Sequence, residues 1–362
     1  MRVVFDCRYT RIGQHDGISR YTAGLVGALA ARHAVIMLIS DRRQLANLPD
    51  LPWELVSGPT SIREPLVALQ VNRLDPDVVF SPMQTMGSFG RRYRLVLTVH
   101  DLIYYSNPTP PPSFAWPVRL LWRLYHLSWW PQRFLLNKAD AIVTVSETTR
   151  DLIATHSLTR HPVTVVRNAA SAPVAANEAE AEAQPPRTRS LVYMGSFMPY
   201  KNVEALVRAA ELLPDYDLHL MSRISDRERL LLESIAPAAR LVFHNGASDE
   251  QYRHVLSQAT ALVSASRAEG FGIPLVEAMS QSTPIVVSDI PVFREIGGDA
   301  GLYFDSEDPA QLAERVRRLE DPEVFAEHAR RSVAQAALFS WERSSETLWA
   351  LLAAEGSRHS RR

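Results

Sequence analysis

Glu269 and Glu277 stand on either side of Gly270-Phe271-Gly272-Ile273-Pro274-Leu275, and the residues between them are of the kind that make room for an anion. Two glycines let the backbone approach a ligand closely. The apolar run Ala261 to Ser264 before them reads as a buried strand. Pro274 suits the first turn of a helix, because proline has no N–H to lose there. The piece is therefore strand, glycine-rich turn and helix start, and the unpaired N–H groups of that start offer a site for a phosphate. Glu269 on the turn can accept hydrogen bonds from neutral hydroxyls, and Glu277, about one helical turn in, can hold a diol such as a ribose. Phosphate flanked by two hydroxyl-rich groups describes a nucleotide sugar. Spacing alone would leave both glutamates as solvated residues on an ordinary turn; it is their bracketing of the glycines and the proline that favours the site.

The elements that must position these residues are legible around them. Short apolar runs recur at Val3 to Cys7, Ala34 to Ser40, Val78 to Pro82, Leu95 to His100, Ala141 to Ser146 and Val163 to Asn168. A second set follows at Leu191 to Gly195, Leu218 to Ser222, Leu241 to Asn245, Ala261 to Ser266, Ile285 to Asp289 and Leu302 to Phe304. Strands that alternate with helical patterns imply parallel sheets, and two sets imply an α/β protein of two Rossmann-like, doubly wound domains. A ligand then belongs in the cleft, at the carboxyl ends of the strands. The polar, Ala-rich stretch around Asn177 to Pro186 reads as a linker. The expected division is residues 1–171, a linker at 172–189, residues 190–338, a helix at 339–356 that crosses back, and a disordered tail at 357–362.

At this point the chain resembles a family. Glu269-Gly-Phe-Gly-Ile-Pro-Leu-Val-Glu277 is similar to the Glu-x7-Glu signature of retaining, nucleotide-sugar-dependent glycosyltransferases with the two-domain GT-B fold, among them bacterial mannosyltransferases of family 4 type. The resemblance implies donor contacts from Gly17, Ser196, Gly270, Phe271, Gly272, Ile273, Leu275 and Glu277. It implies roles in the transfer for Lys201, which would neutralise the donor diphosphate, for His100 beside the transferred sugar, and for Glu269. His15 and Asp16, in the loop before Gly17-Ile18-Ser19-Arg20-Tyr21, are acceptor-side candidates. Many relatives carry an arginine where this chain has Ser196; Arg267 or Arg223 could replace that cation. No metal and no cofactor is implied. The partners would be a GDP- or UDP-hexose and a glycan or lipid-linked acceptor, in envelope polysaccharide or glycolipid synthesis. Mannose is the first choice of sugar, by analogy alone.

Other features narrow the reading. Asp75-Pro76-Asp77 looks like a metal-binding Asp-x-Asp, but it precedes the strand at Val78, the wrong end for a ligand, and reads as a turn. No Gly-x-Gly-x-x-Gly follows a strand with an acidic residue beyond it, which excludes a nicotinamide oxidoreductase of Rossmann type. A non-catalytic binder or an epimerase on the same fold stays open. Cys7 is the sole cysteine, so no intrachain disulfide forms, and its apolar surroundings suggest a buried thiol. A formal net charge of −1 gives no overall case for nucleic acid.

No apolar run of about twenty residues occurs, and a cytoplasmic protein is expected. One segment complicates that. Residues 110–137 hold four of the seven tryptophans, with leucines and arginines. Two readings stand: an interfacial helix against the inner face of the cell membrane, or a helix packed into the first domain.

Overall fold

A computed structural model describes residues 1–13, 16–110, 116–170 and 188–359. Each of the twelve apolar runs is a strand, and most of these strands are short and buried on both faces, which is why they read as continuous apolar runs. The chain divides into two units, Met1–Ala169 with Ser340–Arg362, and Ala170–Phe339.

The first unit carries a seven-stranded parallel sheet. In chain order its strands are β1 (Val3–Asp6), β2 (Val35–Ile39), β3 (Trp53–Leu55), β4 (Val78–Ser81), β5 (Arg94–Val99), β6 (Ala141–Thr144) and β7 (Val163–Val165). Their order in space is β3-β2-β1-β4-β5-β6-β7. β3 is the strand the sequence does not announce. It has three residues, all exposed, at the sheet edge, so neither alternation nor an apolar run marks it. Val4, Val79, Leu95, Leu97 and Ile142 lie in the core of this unit.

The second unit carries a six-stranded parallel sheet of β8 (Thr188–Tyr193), β9 (Asp217–Leu220), β10 (Arg240–Phe243), β11 (Ala259–Ser264), β12 (Ile285–Ser288) and β13 (Gly301–Phe304), ordered β10-β9-β8-β11-β12-β13. Leu191, Leu218, Val263 and Val286 form its core with the helix Val203–Glu211. In both sheets the strand order reverses direction once, between β1 and β4 and between β8 and β11. Those are the points where a crevice opens at the carboxyl ends.

The expected disordered tail at 357–362 needs correcting at 357–359; residues 360–362, like 172–187 of the expected linker, lie outside the described residues. The last helix runs from Trp341 to His359, so residues 357–359 are helical. Ser357 Oγ donates to the Ala353 carbonyl (2.8 Å) and Arg358 pairs with Glu355 one turn back. Arg358 and His359 also put basic groups at the helix end where the dipole favours them. Leu348 and Leu352 form its buried face, as their spacing suggests.

Candidate functional site

The chemistry-bearing residues of the second unit gather where its strand order reverses. Chain leaving β8 passes Gly195 and Ser196, makes a tight turn at Pro199–Lys201 and enters the helix Val203–Glu211. The Gly195 N–H donates to Ser222 Oγ (3.2 Å) and the Tyr193 hydroxyl donates to the Ser196 carbonyl (2.6 Å). Asn202 adopts a left-handed conformation, φ 51°, and its amide donates to the Ser306 carbonyl (2.7 Å). Asn tolerates that conformation better than most residues, and it fixes the turn that presents Lys201.

Chain leaving β11 supplies the other half. Lys201 Nζ forms an ion pair with Glu269 Oε1, and both side chains are largely buried. Ser266 Oγ donates to the same carboxylate oxygen at 2.9 Å. Oε2 of Glu269 has no partner among the described residues, which leaves it as the oxygen able to accept from sugar hydroxyls. An ammonium offers three donors, so Lys201 keeps capacity for an anion while the pair holds it in place.

Gly272 begins the helix Ile273–Ser280 at φ 94°. An added Cβ would be strained there and would meet the Phe293 ring at 3.0 Å, so glycine is required on both counts. The helix start offers fewer donors than its sequence suggests. Pro274 has none, and the Leu275 N–H already donates to the Gly272 carbonyl (2.9 Å). The N–H groups of Gly272 and Ile273 have no partner among the described residues and could serve a phosphate. Phe271 is buried with its ring edge on Phe339, centroids 5.6 Å apart, so only its main chain could serve a ligand. Glu277 is buried too, one turn beyond Ile273 on the same face.

The two arginines that the resemblance offers in place of the missing one differ in what holds them. Arg267 is clamped to Glu307 (Nε to Oε1 2.5 Å, Nη2 to Oε2 2.8 Å) and donates to the Pro199 carbonyl at 3.1 Å. The bidentate hydrogen bond to Glu307 raises its pKa, so this cation is committed to tying the two loops together. Arg223 has no hydrogen bond or ion pair among the described residues. Its exposed side chain crosses Gly246, where an added Cβ would lie 2.6 Å from the Arg223 Cγ. It follows Ser222, whose hydroxyl holds Gly195 next to Ser196.

In the first unit the loops after β1 and β4 meet at the reversal point, where Tyr9 OH donates to the Thr85 carbonyl (3.0 Å). Beneath them lies a network that sequence reasoning missed. Arg8, fully enclosed, binds Asp6 (Nε to Oδ1 2.8 Å, Nη2 to Oδ2 3.0 Å) and Glu64 (Nη1 to Oε2 2.6 Å). Burial alone would lower the pKa of this guanidinium, but Asp6 and Glu64 more than reverse that and it is raised. The only signals in the sequence were a charged pair at the end of an apolar strand and a glutamate 56 residues on.

Asp16, an acceptor-side candidate, caps the helix Gly17–Ala30. Its Oδ1 accepts from the Ser19 N–H (2.9 Å) and Oδ2 pairs with Arg11 Nε (2.5 Å). Gly17 is the exposed first residue of that helix. His15 lies outside the described residues.

His100 comes directly after β5 and its Nε2 lies 2.7 Å from the Pro82 carbonyl. A carbonyl can only accept, so Nε2 carries the proton and Nδ1 of the neutral ring is an acceptor. Burial lowers its pKa, against the opposing effects of the Pro82 hydrogen bond and of Asp101 and Asp16. The Tyr21 ring meets it edge-on, centroids 5.0 Å apart at 82°. Asp101 braces the start of the short helix Ile103–Ser106, its Oδ1 accepting from the Ile103 N–H (3.0 Å), and Ser146 caps the helix Glu147–Thr155. Asp75 and Asp77 sit before β4, where the Asp77 carboxylate accepts from the Arg2 N–H (2.6 Å). That is a structural turn.

Comparison with known proteins places this geometry. Residues 15–172 match the family model Glycosyltransferase Family 4, and residues 175–337 match Glycosyl transferases group 1. The chain is similar to the O-antigen chain mannosyltransferase RfbU of Salmonella typhimurium, 24% identical over 86% of this chain and 89% of the relative. Among solved structures it resembles the sucrose-phosphate synthase of Thermosynechococcus elongatus (TM-score 0.73, 20% identity, 97% of this chain and 98% of that one). It also resembles HepE of Anabaena in complex with UDP-glucose (TM-score 0.71, 16% identity, 98% and 100%). With a model of this class matched to each of its two units and such a relative along most of its length, the chain belongs to the GT-B glycosyltransferases, family 4-like in character and similar to bacterial mannosyltransferases.

Proposed function

We propose that this glycosyltransferase moves a hexose, mannose first among the candidates, from a nucleoside diphosphate to a glycan or lipid-linked acceptor, with retention of configuration and without a metal. The observation that carries the reading is the joining of Lys201 and Glu269 at the β8/β11 reversal, beside the helix start at Gly272. The Salmonella relative is named a mannosyltransferase and the Anabaena structure holds UDP-glucose, which supports a nucleotide-sugar donor and leaves GDP and UDP as the two candidates.

In this reading the bond from the sugar C1 to the diphosphate breaks as the bond to the acceptor oxygen forms on the same face. The acceptor proton passes to the departing diphosphate. Negative charge grows on that leaving group, so fixed cations and N–H donors aimed at it lower the barrier. Lys201, Arg223 and the N–H groups of Gly272 and Ile273 would do so, Glu269 Oε2 would hold the sugar hydroxyls, and Glu277 the ribose. Neutral His100, with Nδ1 as acceptor, would take a hydrogen bond from the sugar. The enzyme would meet a lipid-linked acceptor at the inner face of the membrane, through its 110–137 side.

Calorimetric titration with GDP and with UDP, each with and without a chelator, tests the donor side. Binding of one nucleotide that the chelator leaves unchanged is the expected result. Binding of neither would remove the basis for the reading.

A further inference from the structure

We infer that the outer face of the segment Trp116–Lys138 docks on an anionic lipid bilayer. The helix Trp116–His126 buries no residue, yet it is firmly seated along one side. Trp122 packs edge-on against Tyr104 (5.1 Å), His126 lies on Tyr105 (5.0 Å), and the Tyr125 hydroxyl donates to Gln132 Oε1 (2.7 Å). Positions 122, 125 and 126 share one helical face. The opposite face, Trp116, Leu120, Leu124 and Leu127, is exposed among the described residues, and the adjoining helix Trp130–Leu136 adds the exposed Trp130 and Phe134. Trp116 is 75% exposed, Leu127 79% and Trp130 65%. A surface this apolar on a firmly held helix calls for a partner.

Charge says which partner. Between Asp101 and Asp140 there is no acidic residue, while Arg119, Arg123, Arg133 and Lys138 are basic, in a chain whose net charge is −1. Arg133 is occupied, donating to the His156 and Ser157 carbonyls (2.8 and 2.9 Å). Arg119 and Arg123 are exposed and without a partner among the described residues, on the flank of the apolar face. Leucines that enter the acyl boundary, tryptophans at headgroup depth and guanidinium groups on lipid phosphate are what an interfacial helix requires. A second copy of this chain fits less well. A two-fold interface would set Arg119 and Arg123 against their own copies with no carboxylate from the segment to pair them. Among the described residues no helix is long and apolar enough to cross a membrane, so the segment would lie on the bilayer. The inference gives the acceptor side of the proposed reaction its partner, and it rests on that reading only for its purpose.

The test is sedimentation of the full chain with phosphatidylcholine vesicles, with and without phosphatidylglycerol. Wild type should pellet with the anionic vesicles and be released by salt. Charge reversal of Arg119 and Arg123 should weaken binding by about thirtyfold or more, since each basic group near such a surface contributes about a factor of five. Leu124→Glu with Leu127→Glu should abolish it. Both variants alter exposed residues and should keep nucleotide binding, so loss of vesicle binding is separable from failure of the donor site. Wild type left in the supernatant with anionic vesicles would overturn the inference. So would a dimer in sedimentation velocity that the Leu124→Glu, Leu127→Glu variant dissolves.

Discussion

Lys201 and Glu269 are each other's partner in this structure, and that pairing shapes what substitution should do. In the proposed reaction Lys201→Ala removes the compact charge that would face the leaving diphosphate, and it leaves the largely buried Glu269 carboxylate unpaired. Turnover should fall by roughly two to three powers of ten, the loss typical of removing one charge-stabilising donor. Steady-state kinetics with near wild-type kcat would refute the role. Arg223 is the finer test at this scale. Arg223→Ala should raise the donor KM by about tenfold, the value of one charge-assisted hydrogen bond. Ser196→Arg in the same background should restore it, because Ser222 holds the Ser196 loop beside Arg223. An unchanged donor KM, measured beside an affected Lys201 variant, would show that Arg223 stands apart from the diphosphate.

At the scale of elements, the two ends of the first unit are locked through Gly24. The last helix brings Trp341 against Tyr21, centroids 6.1 Å apart, and Ser344 Oγ donates to the Arg167 carbonyl (2.7 Å). A Cβ at Gly24 would run into the Trp341 ring. Gly24→Ala gains helix propensity at an ordinary position, but here the overlap should dominate and destabilise the protein by roughly 1 to 3 kcal/mol. Urea denaturation followed by tryptophan fluorescence would read it, and a midpoint at or above wild type would contradict the packing described. Tyr21 also touches His100, so the same variant should lower kcat more than it alters nucleotide affinity.

At the scale of the whole molecule, three partly buried histidines should contribute to the response to pH. Burial lowers the pKa of His100 in the first unit below the ordinary 6.5. In the second unit His219 Nδ1 and His244 Nε2 share a hydrogen bond (2.9 Å), and burial lowers both pKa values. The unfolded chain takes up these protons near 6.5, and the folded chain only at lower pH. Unfolding is therefore favoured progressively as pH falls below 6.5, and the contribution is fully present above it. The urea midpoint should drop between about pH 7.5 and about pH 5 by more in wild type than in His219→Gln, while carboxylate titration adds to both at the acid end. Equal drops would show that the pair does not carry the linkage.

What the sequence determined by itself was local. Parallel strands covered on both faces are continuous apolar runs, so twelve of the thirteen strands among the described residues could be read, and with them the glycine turn at Gly272 and the loops that carry Lys201, Glu269 and His100. The family emerged from those residues. Tertiary structure alone decided what those residues are bonded to, because these partners are far apart in the chain and hydrophobic periodicity is silent about them. Lys201 meets Glu269 across 68 residues, Arg267 is captured by Glu307 across 40, and Arg8 is buried with Glu64 across 56. It also split the aromatic segment: the spacing of Trp122, Tyr125 and His126 against Leu120, Leu124 and Leu127 became a seated face and a bare one only once Tyr104 and Tyr105 were in place beneath it. Periodicity says which residues share a face. Only the packed neighbours say which face is covered.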